Sequence, residues 1–199
     1  MASSEVQICN LGLVHAGIRQ TIASLAEDTT EALIAEAAFD MARDALLEEY
    51  PWRFATVRAD LSAIADGERG DWSYAYSVPA DMLRALYVEP GSHNPHSNDL
   101  VEFELEGDTT HGRVILCDDD APVLVYTRQV TEVAWFSPQF ALALSWRLAS
   151  TFVASLKADA QVALAFDRKA EMQVQKAFAL DSSQRHLGRA PDSEFISAR

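Results

Sequence analysis

The stretch Asp28–Ala55, DTTEALIAEAAFDMARDALLEEYPWRFA, decides how the rest of the chain is read. Asp28 stands three residues before Glu31, the spacing at which one side chain caps the first free amides and the other reaches back in a capping box. Ala32, Ala35, Phe39, Ala42 and Leu46 follow at steps of three and four and share one face, leaving Glu36, Asp40, Arg43 and Asp44 on the other. The spacing predicts an amphipathic helix. Pro51 lacks an amide donor and biases Tyr50 away from helical geometry, so the helix is expected to stop there and hand over to Trp52 and Phe54.

Upstream, Val6, Cys9, Leu13 and Ala16 mark a first short helix from Glu5 to Ala16, with Gly17 placed to end it. Ile18, Ile22 and Leu25 continue an apolar line that fits either helix or an extended connector. Downstream the period changes to two from Trp72 to Val130. Tyr74, Tyr76 and Val78 alternate with small residues, Pro79-Ala80-Asp81 makes a turn and Leu83–Val88 follows, which predicts a hairpin. Val101, Phe103 and Leu105 alternate with Glu102, Glu104 and Glu106, giving a strand with one wet acidic face. Arg113–Cys117 and Val123–Val130, joined through Asp118–Pro122, extend the expectation to an antiparallel meander.

Ser137-Pro138 then offers an N-cap and a favoured first helical residue. Leu142, Trp146, Ala149, Val153 and Leu156 form one stripe and Phe140, Leu144, Leu148 and Phe152 a second, so this helix needs neighbours on two sides. A turn at Ala158-Asp159 precedes a last helix carrying Val162, Phe166, Ala170, Val174 and Ala177, and ending by Gly188. The fold expected is α+β: an antiparallel helical bundle made by residues 1–55 and 137–188, an inserted antiparallel β domain over 56–136, and a flexible tail over 189–199.

The 199 residues suffice for a core without staples, and Cys9 and Cys117, each in an apolar segment, read as reduced thiols packed as small hydrophobes. No apolar run approaches the roughly 18 residues of a membrane span, and no basic leader precedes it, so a soluble, unexported protein is expected. The net charge of −14 is uneven: residues 1–136 hold 24 acids and 8 bases, residues 137–199 hold 6 acids and 8 bases. An acidic body argues against tight nucleic-acid binding, which needs clustered Lys and Arg, and suits either solubility or a surface past which DNA slides.

Motifs for chemistry are sparse. His93 and His96 lack a third ligand at a diagnostic spacing and read as a solvated loop. Asp118, Asp119 and Asp120 lack the spaced oxygens of a calcium loop and read as an acidic turn. Glu102 and Glu104 could supply a glycosidase carboxylate pair, though like charges facing water explain the run as well. There is no nucleophile elbow, phosphate-cradling loop or zinc-protease motif, and neither cofactor nor metal is expected. Trp52, Phe54, Trp135 and Phe136 flank the helix-to-strand boundaries and read as core seals.

Ile8-Cys9-Asn10, the capped helix running to Trp52-Arg53-Phe54-Ala55, Tyr76-Ser77-Val78-Pro79-Ala80-Asp81-Met82-Leu83-Arg84 and Phe136-Ser137-Pro138-Gln139-Phe140 occur in an order that resembles head-to-tail adaptors of short-tailed bacteriophages, the tail tubular protein A type. The similarity spans roughly residues 5–182. It implies a non-enzymatic structural protein of the virion neck, made in the host cytoplasm. It further implies a ring, usually of twelve copies, between portal protein and tail nozzle protein, with tail fibres as a further candidate partner. DNA passes through such a ring without specific binding, and no membrane is involved. Within that reading Phe195, Ile196 and Arg199 are candidate portal contacts, and Glu36, Asp40 and Asp44 are candidate acids for the channel or the subunit interface. The alternatives are a tail-associated hydrolase of cell-envelope glycans using Glu102 and Glu104, and a cytosolic interaction domain unrelated to phage.

Overall fold

The computed structural model describes residues 4–65, 69–91, 100–157 and 160–183. The first helix, α1 (Glu5–His15), begins at a true capping box: Ser4 Oγ accepts the Gln7 amide at 3.2 Å and Gln7 Oε1 accepts the Ser4 amide at 3.1 Å. It stops where Gly17 takes a left-handed φ of 70°, which a side chain would strain. The Ile18–Leu25 line is a connector rather than a helix. Asn10 holds it down, donating to the Ile22 carbonyl and accepting the Ile22 amide, both at 2.8 Å, and Ile22 is buried.

Helix α2 (Thr30–Glu49) ends before Pro51 as its sequence predicts, but it starts differently. The cap is Thr29, whose Oγ1 accepts the Ala32 amide, so the third helical position is Ala32, which has no acceptor to close a box. Asp28 and Glu31 therefore do not form the expected pair. Arg43 also departs from its expected wet face: it is 3% exposed, with its guanidinium turned along the helix to Asp40 (2.7 Å) and Asp44 (2.8 Å). The long alkyl stem of arginine tolerates burial once the head is paired.

Among the described residues seven strands follow: β1 (Thr56–Asp60), β2 (Ser62–Ala63), β3 (Tyr74–Ser77), β4 (Met82–Glu89), β5 (Phe103–Asp108), β6 (Gly112–Cys117) and β7 (Val123–Arg128). They make two antiparallel sheets, ordered β1-β7-β4 and β2-β3-β6-β5. The expected β3–β4 hairpin is absent. Asp81, in the turn between them, is tied instead to β7 and its exit: its carboxylate accepts from Tyr126 Oη at 3.0 Å and its carbonyl accepts the Gln129 amide at 2.7 Å. The turn thus carries the chain into the other sheet. Asp118–Pro122 does the same between β6 and β7, so the expected meander is replaced by an interleaved pair of sheets in which, among the described residues, β2–β3 and β5–β6 are the chain neighbours that pair directly.

The two sheets share a core of Tyr76, Met82, Val88, Ile115, Cys117, Leu124 and Tyr126. Strand β6 is buried on both faces, with Val114 and Leu116 meeting Ala75, Ile64 and Trp72 on the far side. A 3-10 turn, Val133–Trp135, leads back to the helices. Trp135 does not seal the core as expected; it is 55% exposed, and the Arg128 guanidinium lies over its ring at 4.4 Å.

Helix α3 (Pro138–Phe152) starts as expected, with Ser137 Oγ accepting the Phe140 amide. It runs into a π-helical turn, Val153–Lys157, whose Lys157 Nζ donates to the Ala16 carbonyl at the end of α1. Helix α4 (Ala160–Ser183) follows. Helix α3 packs on α1, α2 and α4, and the buried residues of all four helices form one cluster with Trp52, Ala55, Val130 and Phe136. Helix α1 approaches it closely at Gly12, where an added Cβ would stand 3.0 Å from both Phe152 Cε2 and the Ser145 carbonyl oxygen. The chain is therefore α+β. No helix among the described residues is long and apolar enough to cross a membrane.

Candidate functional site

Helices α2 and α4 lie on the same side of α3 and converge at their C-terminal ends. Tyr50 stacks on Phe178 at 4.5 Å between ring centroids, Trp52 meets Phe140 of α3 edge-on at 5.0 Å, and Asp181 accepts the Arg53 amide at 2.9 Å. About two turns along α3 from Phe140, Arg147 bridges the two helices, donating to Glu49 Oε2 at 2.7 Å and Glu171 Oε2 at 3.2 Å. Burial, reinforced by the nearby Glu171 carboxylate, outweighs Arg147 and raises the Glu49 carboxyl above its ordinary value.

Beyond that bridge the helices part, and a groove of about 700 Å³ opens between them. Its α2 wall is apolar, with Leu33, Ile34, Ala38, Met41 and Ala42; Arg147, Ser150 and Thr151 form the floor, and Asp167 of α4, which accepts a hydrogen bond from Ser150, stands opposite. Leu33 and Met41 are 54% and 76% exposed at the lip. The groove sets an apolar wall beside charge; Arg147 Nη2 and Ser150 Oγ are paired, while the buried Arg147 Nε has no hydrogen-bond partner among the described residues.

The predicted acids of α2 lie on the outer flank of this helix. Glu36 and Asp40 are exposed, Asp40 pairing with Arg43. Asp44 is more enclosed, accepting from Arg43 Nε and from Gln129 Nε2 at 2.6 Å, which fastens α2 to the end of the β section. Phe195, Ile196 and Arg199 lie outside the described residues, as do His93 and His96.

The other candidates are dispersed. Glu102 is exposed before β5, while Glu104 accepts from Trp72 Nε1 at 3.2 Å in an acidic cleft of about 540 Å³ with Arg69, Asp71 and Glu106. The acidic turn is a structural knot: Asp118 Oδ1 accepts the Ser73 amide, Asp119 Oδ1 the Ala121 amide, and the Asp119 carbonyl the Tyr76 hydroxyl at 2.6 Å. Next to the β5–β6 turn, the amide of His111 and the guanidinium of Arg69 hold Asp108 well below the usual carboxylate range. Among the described residues no group of three His, Cys, Asp or Glu is placed to hold a metal ion.

Sequence reasoning missed Arg147 and its two glutamates. The signal was there, as a single base inside the otherwise uncharged stretch 138–156, where an uncompensated charge is costly and requires partners. Neither protein-family models nor curated proteins yield a match to this chain.

Proposed function

We propose that the chain is a structural head-to-tail adaptor of the short-tailed phage type. Copies form a ring in the virion neck, bound to the portal protein on one side and the tail nozzle protein on the other, and DNA passes through the centre. The protein acts by position and not by catalysis. The observation that carries this reading is the arrangement around α3: helices from both chain ends pack against it, while the sheets leave between α2 and α3 and return beside them. In this reading α1–α4 make an antiparallel bundle, residues 56–136 an inserted β domain, and the whole a two-part wedge suited to repetition about an axis. The acids on the outer flank of α2 and the stretch holding Phe195, Ile196 and Arg199 supply contacts to neighbours and portal. Electron microscopy of the protein mixed with its cognate portal protein tests the proposal: a collar of twelve-fold symmetry is expected, and bare portals at saturating protein overturn it.

A second reading has one observation in its favour. The Trp72–Glu104 pair sits in an open cleft with further carboxylates, an arrangement that suits a sugar ring over an aromatic face. A turbidity assay on cell-envelope glycan separates the two, since a hydrolase loses activity with Glu104→Gln and an adaptor shows none to lose.

A further inference from the structure

Two exposed helix faces on this molecule are opposite in charge, and each carries exposed apolar side chains. On α2 the outward face presents Leu33 and Met41 at the lip of the groove, flanked by Glu36, Asp40 and Glu48. On α4 the residues turned away from α3 follow steps of four: Leu164, Arg168, Met172 and Lys176, all exposed, with Leu164 and Met172 at 58% and 62%. Among the described residues Glu36, Glu48, Arg168 and Lys176 form no ion pair within the chain. Exposed apolar side chains that line up along a helix and are rimmed by charge are the usual mark of an interaction surface.

We infer that the α2 groove of one copy receives the outward face of α4 from a second copy, Leu164 and Met172 entering the apolar side while Arg168 and Lys176 meet the acids of α2. Because the two faces differ, the contact is heterologous. Each copy keeps one unused face after pairing, and such contacts propagate until they close on themselves as a ring or extend as a filament. Charge complementarity selects this pairing over α2 on α2, which would bring acids together, and over α4 on α4, which would bring bases together. The inference deepens the ring reading by naming the surfaces that join its copies.

Cysteine cross-linking tests it on the full chain, concentrated alone and bound to portal. Met41→Cys and Met172→Cys change two exposed side chains, and the native thiols Cys9 and Cys117 are both buried. Under mild oxidation the two single variants mixed together are expected to give one covalent dimer containing both. The chain carrying both substitutions gives a ladder of covalent higher oligomers, and each single variant alone gives no covalent dimer. Asp40→Lys with Glu48→Lys should abolish the cross-link, and adding Arg168→Glu with Lys176→Glu to the same chain should restore it. A collar on the portal without the mixed dimer overturns the α2–α4 contact and leaves the ring reading standing. A mixed dimer without a collar supports the contact and overturns the portal ring; absence of both overturns both.

Discussion

Trp52 Nε1 donates to the carbonyl oxygen of Leu46 at 2.7 Å, six residues back and inside the core. That carbonyl is one of the last four of α2, which have no amide partner of their own in the helix. Arg84 from β4 approaches two others, the carbonyls of Glu48 and Glu49, at 3.4 and 3.2 Å. A helix stopped by Pro51 is thus finished by side chains that arrive after it in the sequence. Trp52→Phe keeps most of the apolar volume and removes the donor, so a loss of about 1–3 kcal/mol is expected for the stranded buried carbonyl. Urea denaturation checks it: the midpoint falls and the slope stays the same.

Gly12→Val tests the approach of α1 to α3. The new Cβ would meet one aromatic edge and one backbone oxygen, both at 3.0 Å, and the second cannot move without α3. Overpacking of this kind costs about 1–3 kcal/mol, more than the small gain in helix propensity returns. Thermal unfolding should show a lower Tm.

The cluster on α2 predicts a strong asymmetry between partners. Arg43 is buried and Asp40 has its side chain 76% exposed. Asp40→Asn should change stability by no more than about 1 kcal/mol, as for surface pairs. Arg43→Ala removes a packed stem as well as the charge and should cost about 2–4 kcal/mol. Equal effects of the two variants in chemical denaturation would contradict this assignment.

His15 stacks on Trp146 at 3.8 Å, and Lys169 Nζ lies 4.0 Å from the same ring. Burial, and then the positive Lys169, lower the His15 pKa below its ordinary 6.5. The unfolded chain therefore binds this proton more readily than the folded one, and stability must rise with pH across that interval. The contribution is complete above about pH 6.5 and is lost as pH falls towards the folded value. His15→Phe keeps a ring against Trp146 and should flatten the dependence of Tm on pH between 5 and 7, relative to the parent.

Cys9 is buried, and burial together with Glu5 pushes its thiol up to about 12. A thiol held neutral is a poor nucleophile. A thiol-specific reagent at pH 8 should label neither Cys9 nor Cys117 in the native protein and both once it is unfolded, and rapid labelling of native Cys9 would refute the burial.

What was legible in the sequence is what neighbouring residues decide. Pro51 ends α2, Ser137-Pro138 opens α3, and the two stripes of α3 require flanking helices; each follows from side chains within a few positions of one another. Arg43 was illegible because a helical wheel assigns every charge to water, and only the third dimension shows an arginine folded back on its own helix. The strand partners were illegible for a related reason. Tyr74–Val78 and Leu83–Val88 read as a hairpin, and what separates them is Asp81 reaching Tyr126 and Gln129, more than forty residues on. The groove depends on how far α2 and α4 diverge, which no local pattern encodes.

Strands β1 and β7 are neighbours, Thr56 opposite Thr127 with the Arg128 amide donating to the Ala55 carbonyl at 2.9 Å, so the chain departs from the helices and rejoins them at a single doorway. Whatever lies between is, topologically, one loop whose ends are already tied. The entropy of closing such a loop grows only logarithmically with its length. The excursion can therefore be lengthened, shortened or redecorated at its far rim while the geometry at the doorway stays as it is, leaving that rim free to diverge faster than the helices that carry it.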